Sequence, residues 1–277
     1  MISRLISALV RAVLLAVLVM SPSLLIGEGT DKTDDLALIL AIILGSMVFI
    51  EYYGRSPSVI EFRYAPPFNR LRFLTLLSSL MLISLIVRAE TYPTALTALL
   101  TQLGAGLGNA IDFPYSPVRL MVIMLPVDAS ADLVELMRVA AGIAYTCSLV
   151  MIFVFVTYVR LLGWPTRAGA FNVWMNLPLF DPTGGGDVLA RLKRDAALNV
   201  VIGALLPFII PAAVKIAADM LTPVSMQDPQ TLIWMVTLWA FLPASLLMRG
   251  IAMSRIAEMI EEKRKRAYAA ADGLQQV

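Results

Sequence analysis

The sequence predicts an all-α integral membrane protein: a bundle of six transmembrane helices with an outer interfacial or re-entrant helical segment between spans three and four. Three observations predict it. Hydrophobic residues make up 59% of the 277 and charged residues only 15%, with a mean hydropathy of +0.80. A water-soluble domain usually carries about 45–50% apolar and about 25% charged residues, so this excess of apolar surface calls for lipid as its solvent. The apolar residues also gather into six stretches near the length of about 20 residues that a helix needs to cross a hydrocarbon core of about 30 Å. Finally, 17 of the 22 Lys and Arg fall on alternate loops that would share one side of a bilayer. The opposite loops hold four (Lys32, Arg88, Arg119 and Arg138), and Lys215 stands at the outer end of span five. Helices are oriented by Lys and Arg in their short cytoplasmic loops. The expected protein is therefore a multi-pass protein of a bacterial-type inner membrane, with both termini cytoplasmic and a single membrane domain over 1–277.

Span one covers 5–26, and its apolar run continues past Ser21, Pro22 and Ser23 with no small-x-small site before it, so it is read as uncleaved. Arg11 is shallow enough to snorkel toward the cytoplasm. An acidic outer loop leads to span two, 36–53, whose closing Tyr52 and Tyr53 suit the headgroup layer. In the inner loop that follows, Arg55, Arg63, Arg70 and Arg72 alternate with Phe62, Tyr64 and Phe68, and Pro66 and Pro67 stop any helix. Span three, 73–87, holds only 15 residues between Arg72 and Arg88. At 1.5 Å each that is about 22 Å, which requires snorkelling or a thinned bilayer.

The stretch 94–111 has no charge and is long enough to be weighed as a span. Charge parity argues against that, because one more crossing would put the five positive charges of 160–194 outside. The apolar piece 120–126 is too short to restore parity. The segment is therefore expected to lie on the outer face or to dip in and return. Leu96, Leu99, Leu100, Leu103 and Leu107 form one helical stripe. Thr97, Thr101, Gly104 and Gly108 line another, a candidate helix-packing face in which two glycines four apart permit close approach.

Span four covers 139–158. The second inner loop carries Trp164, Arg167 and Trp174, then a Gly184-Gly185-Gly186-Asp187 turn and a short helix, 188–194, before span five at 196–214. That turn lacks the Gly-Lys-Ser/Thr ending of a phosphate-binding loop, and Asp187 reads as an N-cap. Span six, 229–248, would continue into a cytoplasmic amphipathic tail, 249–277, with Met253, Ile256 and Ile260 on one face.

Three constellations are candidates for function. Lys215 and Asp219 stand i,i+4 at the outer end of span five, downstream of Pro207 and Pro211, which free backbone carbonyls. With Asn199 they suggest either a cation or proton path or an interfacial anchor. Asp128, Asp132, Glu135 and Arg138 open span four as an outer rim that could join them. Arg55, Arg63, Arg70, Arg72, Trp164, Arg167 and Trp174 form a basic, aromatic inner belt suited to a docking partner or to anionic lipid headgroups.

Other classes are closed off. The chain has no His, which removes the commonest general acid/base and metal ligand. A single Cys excludes an intrachain disulfide framework. Net charge is +2 and no long basic stretch marks a nucleic-acid partner. No catalytic, cofactor or metal site is expected. The leading expectation is a non-catalytic accessory, assembly or interaction subunit, in contact with the bilayer and with a protein partner or a second copy. The alternative is a small transporter or channel built on span five. An intramembrane enzyme comes third, for want of any nucleophile with a base.

Overall fold

The structure is a computed structural model. It describes the backbone of residues 2–27, 31–165, 172–180, 185–220 and 228–275, and the side chains of these except 31–32, 174, 218–220 and 271–275. The fold is all-helical, 81% helix, with no strand among the described residues. Six helices are long and apolar enough to cross a membrane: α1 (Ile2–Ile26), α2 (Asp31–Tyr53), α3 (Phe68–Arg88), α6 (Ala131–Leu161), α8 (Val188–Met220) and α9 (Pro229–Gln275). Two shorter helices, α4 (Ala95–Ile111) and α5 (Pro117–Ile123), connect α3 to α6, and one turn, α7 (Val173–Asn176), sits between α6 and α8.

The boundaries correct the sequence reading toward longer helices. Span three begins at Phe68 rather than 73, so α3 has 21 residues and reaches about 32 Å. Arg70 and Arg72 stand on its first turns, which removes the length deficit. The expected short helix 188–194 is not separate, because α8 runs unbroken through 33 residues. Residues 249–275 continue span six as one helix, giving α9 47 residues and about 70 Å. A rod of that length exceeds a hydrocarbon core more than twofold. Its second half therefore belongs to a layer beyond the apolar slab.

That layer has its own core. Phe62, Phe68, Phe155, Trp164, Leu177, Leu192, Met248, Met253 and Ile256 pack together at the end of the bundle that carries both chain termini. The other cluster, including Leu18, Ile83, Met121, Met137, Ala140, Leu232 and Trp239, fills the rest of the bundle. Central α6 packs on α3, α4, α5 and α9, while α2 lies chiefly on α1 and α8 on α9.

Two of the prolines within the long helices are compensated. Pro22 cannot donate to the Leu18 carbonyl one turn earlier, and Ser21 Oγ donates to that oxygen instead, at 2.7 Å. Pro211 likewise frees the Pro207 carbonyl, which accepts from Trp239 Nε1 of α9 at 3.0 Å. Helix α8 approaches α9 to backbone contact at two glycines. A Cβ on Gly203 would lie 2.8 Å from the Pro243 oxygen, and one on Gly250 2.8 Å from the Ala196 oxygen.

Helix α4 stays at the far end and does not carry the chain back across the bundle. A reciprocal cap starts it: Thr97 N–H donates to Thr94 Oγ1 at 3.1 Å and Thr94 N–H to Thr97 Oγ1 at 2.9 Å. Thr97, Gly104 and Gly108 are turned to the protein, and Gly108 touches Gly142 of α6 backbone to backbone. Leu96, Leu99 and Leu103, between 52% and 58% exposed, face away from it.

Candidate functional site

The basic end is organised by two carboxylates, Glu51 and Glu61. Glu51 closes α2 and turns its side chain onto the following loop, accepting from Ser58 N–H (2.7 Å), Ser58 Oγ (2.6 Å), Val59 N–H (3.1 Å) and Ile60 N–H (3.0 Å). Arg63 returns the favour. Its guanidinium donates to the Glu51, Tyr52 and Gly54 carbonyls, the last two at 2.8 and 2.9 Å, oxygens that a helix C-terminus leaves without partners. Acid on helix and base on loop thus fix each other.

Glu61 does the same across the fold. Arg249 of α9 grips it bidentately, Nε to Oε2 at 2.6 Å and Nη2 to Oε1 at 2.8 Å, and the Glu61 carboxylate is buried. The two inner loops are then stitched directly. Phe62 N–H donates to the Asn176 carbonyl at 2.7 Å and Tyr64 N–H to Asn176 Oδ1 at 3.1 Å. Phe62 adopts a left-handed backbone (φ 54°) that turns its ring inward onto Phe68 and Trp164. Trp164 is therefore a core residue and not part of the surface belt expected for it. It is buried, and its Nε1 donates to the Ala65 carbonyl at 3.2 Å. An indole needs such a partner once it leaves water.

Between α1, α2, α3 and the inner loop lies a cleft of about 790 Å³. Four arginines line it: Arg11, Arg63, Arg70 and Arg72. Arg11 and Arg63 each stack on the Tyr52 ring, at 4.6 and 5.1 Å from its centroid. Arg72 lies against Phe68 and Phe241, at 5.6 and 5.9 Å, and donates weakly to Ser245 Oγ at 3.4 Å. Among the described residues none of the four forms an ion pair with a carboxylate, and no acidic side chain lines the cleft. The nearby acids, Glu51 and Glu61, are already committed to loop donors and to Arg249. Below the arginines the walls are apolar, formed by Leu14, Leu15, Leu18, Phe73, Leu76 and Phe241.

Of the residues expected in the inner belt, Arg63, Arg70 and Arg72 meet in this cleft, whereas Arg55 is exposed outside it. Arg167 and the Trp174 side chain fall outside the described residues. Arg11 and Tyr52 were readable individually, as a snorkelling cation and a headgroup-layer tyrosine. Their meeting was not, since 41 positions separate them and no periodicity links α1 to α2.

At the far end, Lys215 is half-buried and donates to the Leu125 carbonyl, at 3.3 Å, where α5 gives way to the turn before α6. The Asp219 side chain lies outside the described residues. Asn199 donates to the Asp195 carbonyl one turn back, at 2.7 Å. A pocket of about 210 Å³ between α5, α8 and α9 is lined by Met121, Met124, Ile210, Val214, Met235 and Trp239 among others, none of them charged. Arg138 and Glu135 do not join Lys215. Arg138 pairs with Glu135 and with Asp112 (2.8 Å), and Arg119 pairs with the same buried Asp112 at 2.8 Å, which ties α4, α5 and α6 together.

Asp187 sits at the start of α8, its Oδ1 accepting from Leu189 N–H at 3.2 Å and from Arg264 of α9 at 3.0 Å. Those two donors hold its carboxyl below the usual value. Among the described residues no three Asp, Glu or Cys side chains converge as metal ligands would. The chain matches no protein-family model, and no curated protein or solved structure shows significant similarity to it.

Proposed function

We propose that this is a multi-pass protein of a bacterial-type inner membrane, with both termini cytoplasmic, which acts without catalysis as an accessory, assembly or interaction subunit of a membrane complex. The orientation rests on charge. In the sequence, 17 of the 22 Lys and Arg fall in the terminal segments and the two inner loops, and short cytoplasmic loops are where such charge accumulates.

The observation that favours interaction over transport is that three polar groups of α8 are engaged locally. Lys215 donates to Leu125, Asn199 to Asp195, and the carbonyl freed by Pro211 accepts from Trp239. A cation or proton path would leave such groups turned toward a wet cavity. The pocket beside them is lined by methionines and branched aliphatics instead. The inner loops, stitched together at Asn176, offer a layer on which a partner within the membrane can seat.

Purification from native membranes in mild detergent, by a tag at the C-terminus, tests the reading. The expected product is a stoichiometric hetero-complex, identified by mass spectrometry and intact on native gels. A monomer or homo-oligomer with no stoichiometric partner overturns it and returns the weight to transport, for which Lys215→Ala in a flux assay is the decisive variant. Protease treatment of spheroplasts checks the orientation: the C-terminal tag should survive until the membrane is breached.

A further inference from the structure

We propose that the arginine-lined cleft between α1, α2 and α3 binds an anionic glycerophospholipid, with its phosphate among Arg11, Arg63, Arg70 and Arg72 and its proximal acyl carbons against the apolar wall below. This goes beyond the interaction role argued above, and it depends only on the chain lying in a bilayer with this end at the headgroup layer.

The first support is an excess of positive charge. Four guanidinium groups share one cleft, with no carboxylate on its walls among the described residues. Like charges drawn together repel, and a folded protein ordinarily interleaves acids among them. Here the carboxylate oxygens of the nearest acids are engaged outside the cleft, Glu51 with the amides of 58–60 and Glu61 with Arg249, and Glu61 reaches Arg72 only through its field. Arg63 and Arg72 are also immobilised, Arg63 by three carbonyls and Arg72 between two rings, so their charge is held in place before any ligand arrives. Guanidinium groups match phosphate oxygens bidentately, which makes Arg the natural residue for such a headgroup.

The second support is the shape of the polarity. A site for a free anion would be polar throughout. This cleft is basic only at its mouth and descends along one face of α1 through Leu14, Leu15 and Leu18, with Phe73, Leu76 and Phe241 opposite. From Arg11 to Leu18 the helix rises about 10 Å. A volume of about 790 Å³ holds a phosphoglycerol group and several methylenes of each chain. Val10 and Leu74 on the rim remain exposed, as the edge of a cleft that opens to acyl chains requires.

The test uses the full chain in nanodiscs or detergent, with phosphatidylglycerol and phosphatidylcholine as the probes. Native mass spectrometry and lipid titration read out retention and apparent Kd. Arg11→Gln with Arg70→Gln removes the two exposed guanidinium groups and spares the loop-capping Arg63. Arg4→Gln with Arg55→Gln removes the same net charge outside the cleft. Phosphatidylglycerol should be retained in preference to phosphatidylcholine. The R11Q/R70Q variant should weaken it about tenfold or more, given the worth of each cation at an anionic headgroup, while R4Q/R55Q stays within about twofold. Equal loss in both variants means diffuse surface charge and overturns the site. So does unchanged retention in R11Q/R70Q. If inorganic phosphate displaces the lipid at comparable concentration, the ligand is a soluble anion and the lipid assignment fails. Unchanged thermal unfolding of R11Q/R70Q in lipid-free detergent shows that the loss is one of binding and not of fold.

Discussion

Arg249, near the middle of the longest helix, holds Glu61 of the first inner loop through two parallel hydrogen bonds of 2.6 and 2.8 Å. The pair joins residues 188 positions apart and is what turns the excess length of α9 into a pillar for both inner loops. Breaking a buried pair from one side leaves the remaining charge uncompensated, at a cost of about 3 kcal/mol or more. Arg249→Ala and Glu61→Ala should each lower the thermal midpoint in detergent by several degrees. The double variant Glu61→Leu with Arg249→Met should recover much of that loss. Equal instability of the double and single variants would show that the loop depends on the charge pair itself.

Glycine at the contact of α4 with α6 makes a sharper prediction, because neighbouring glycines behave oppositely. A Cβ on Gly108 would stand 2.8 Å from the Arg138 carbonyl oxygen, and backbone cannot step aside as a side-chain tip can. Gly108→Ala should cost about 1–3 kcal/mol through overpacking. Gly106 is on the same helix with nothing within 4 Å of the same added atom. Gly106→Ala should be neutral or stabilise by up to about 1 kcal/mol, the helical preference for Ala over Gly. Thermal unfolding of the two variants side by side is sufficient.

The contrast also marks what the sequence makes legible. Six helices and the grouping of charge at one end follow from composition and from the spacing of apolar residues, since lipid imposes both. The two stripes of α4 were visible as stripes, and the small residues at Gly104 and Gly108 distinguish the contact face from the leucine face. Pairings between distant segments were not visible. Nothing local to Asn176 indicates that it receives Phe62 and Tyr64, and nothing local to Asp112 indicates that it holds both Arg119 and Arg138. The available signal was an acid standing where basic residues are the rule. Glu51 at the end of α2 and Glu61 in the inner loop stand out in that way, and both are buried pins. Trp164 misled for a physical reason: indoles suit both a headgroup layer and a core that offers their N–H a carbonyl.

Acid should loosen the start of α8. Asp187 is held ionised by the Leu189 amide and by Arg264, so its folded-state pKa lies below the unfolded value. A depressed carboxylate contributes stability above its unfolded pKa, and that contribution is lost as pH falls through the folded pKa. Hydrogen exchange at the Leu189 amide should therefore accelerate relative to the helix interior once pH drops below the ordinary carboxylate range. In Asp187→Asn that dependence should vanish. Because the group is fully exposed, the effect stays at the helix end and the global midpoint should not follow it.

The most discriminating prediction concerns Pro211 and Trp239. Pro211 supplies no N–H to the carbonyl of Pro207, and the indole of Trp239 supplies one at 3.0 Å from the neighbouring helix. Trp239→Phe keeps most of the ring volume and removes the donor, leaving a buried oxygen unsatisfied, at about 1 kcal/mol or more. Pro211→Ala restores the intrahelical donor, so the indole becomes redundant. In the Pro211→Ala background, Trp239→Phe should cost little, and the coupling between the two substitutions should equal most of the single-variant loss. Additive losses would mean that Trp239 matters for its packing with Tyr145, 5.8 Å away between ring centroids, and not for its hydrogen bond. A coupling near the full loss would instead identify a helix break repaired in trans. The carbonyl would then be structural, and a cation path through span five would lose the ligand that Pro211 frees.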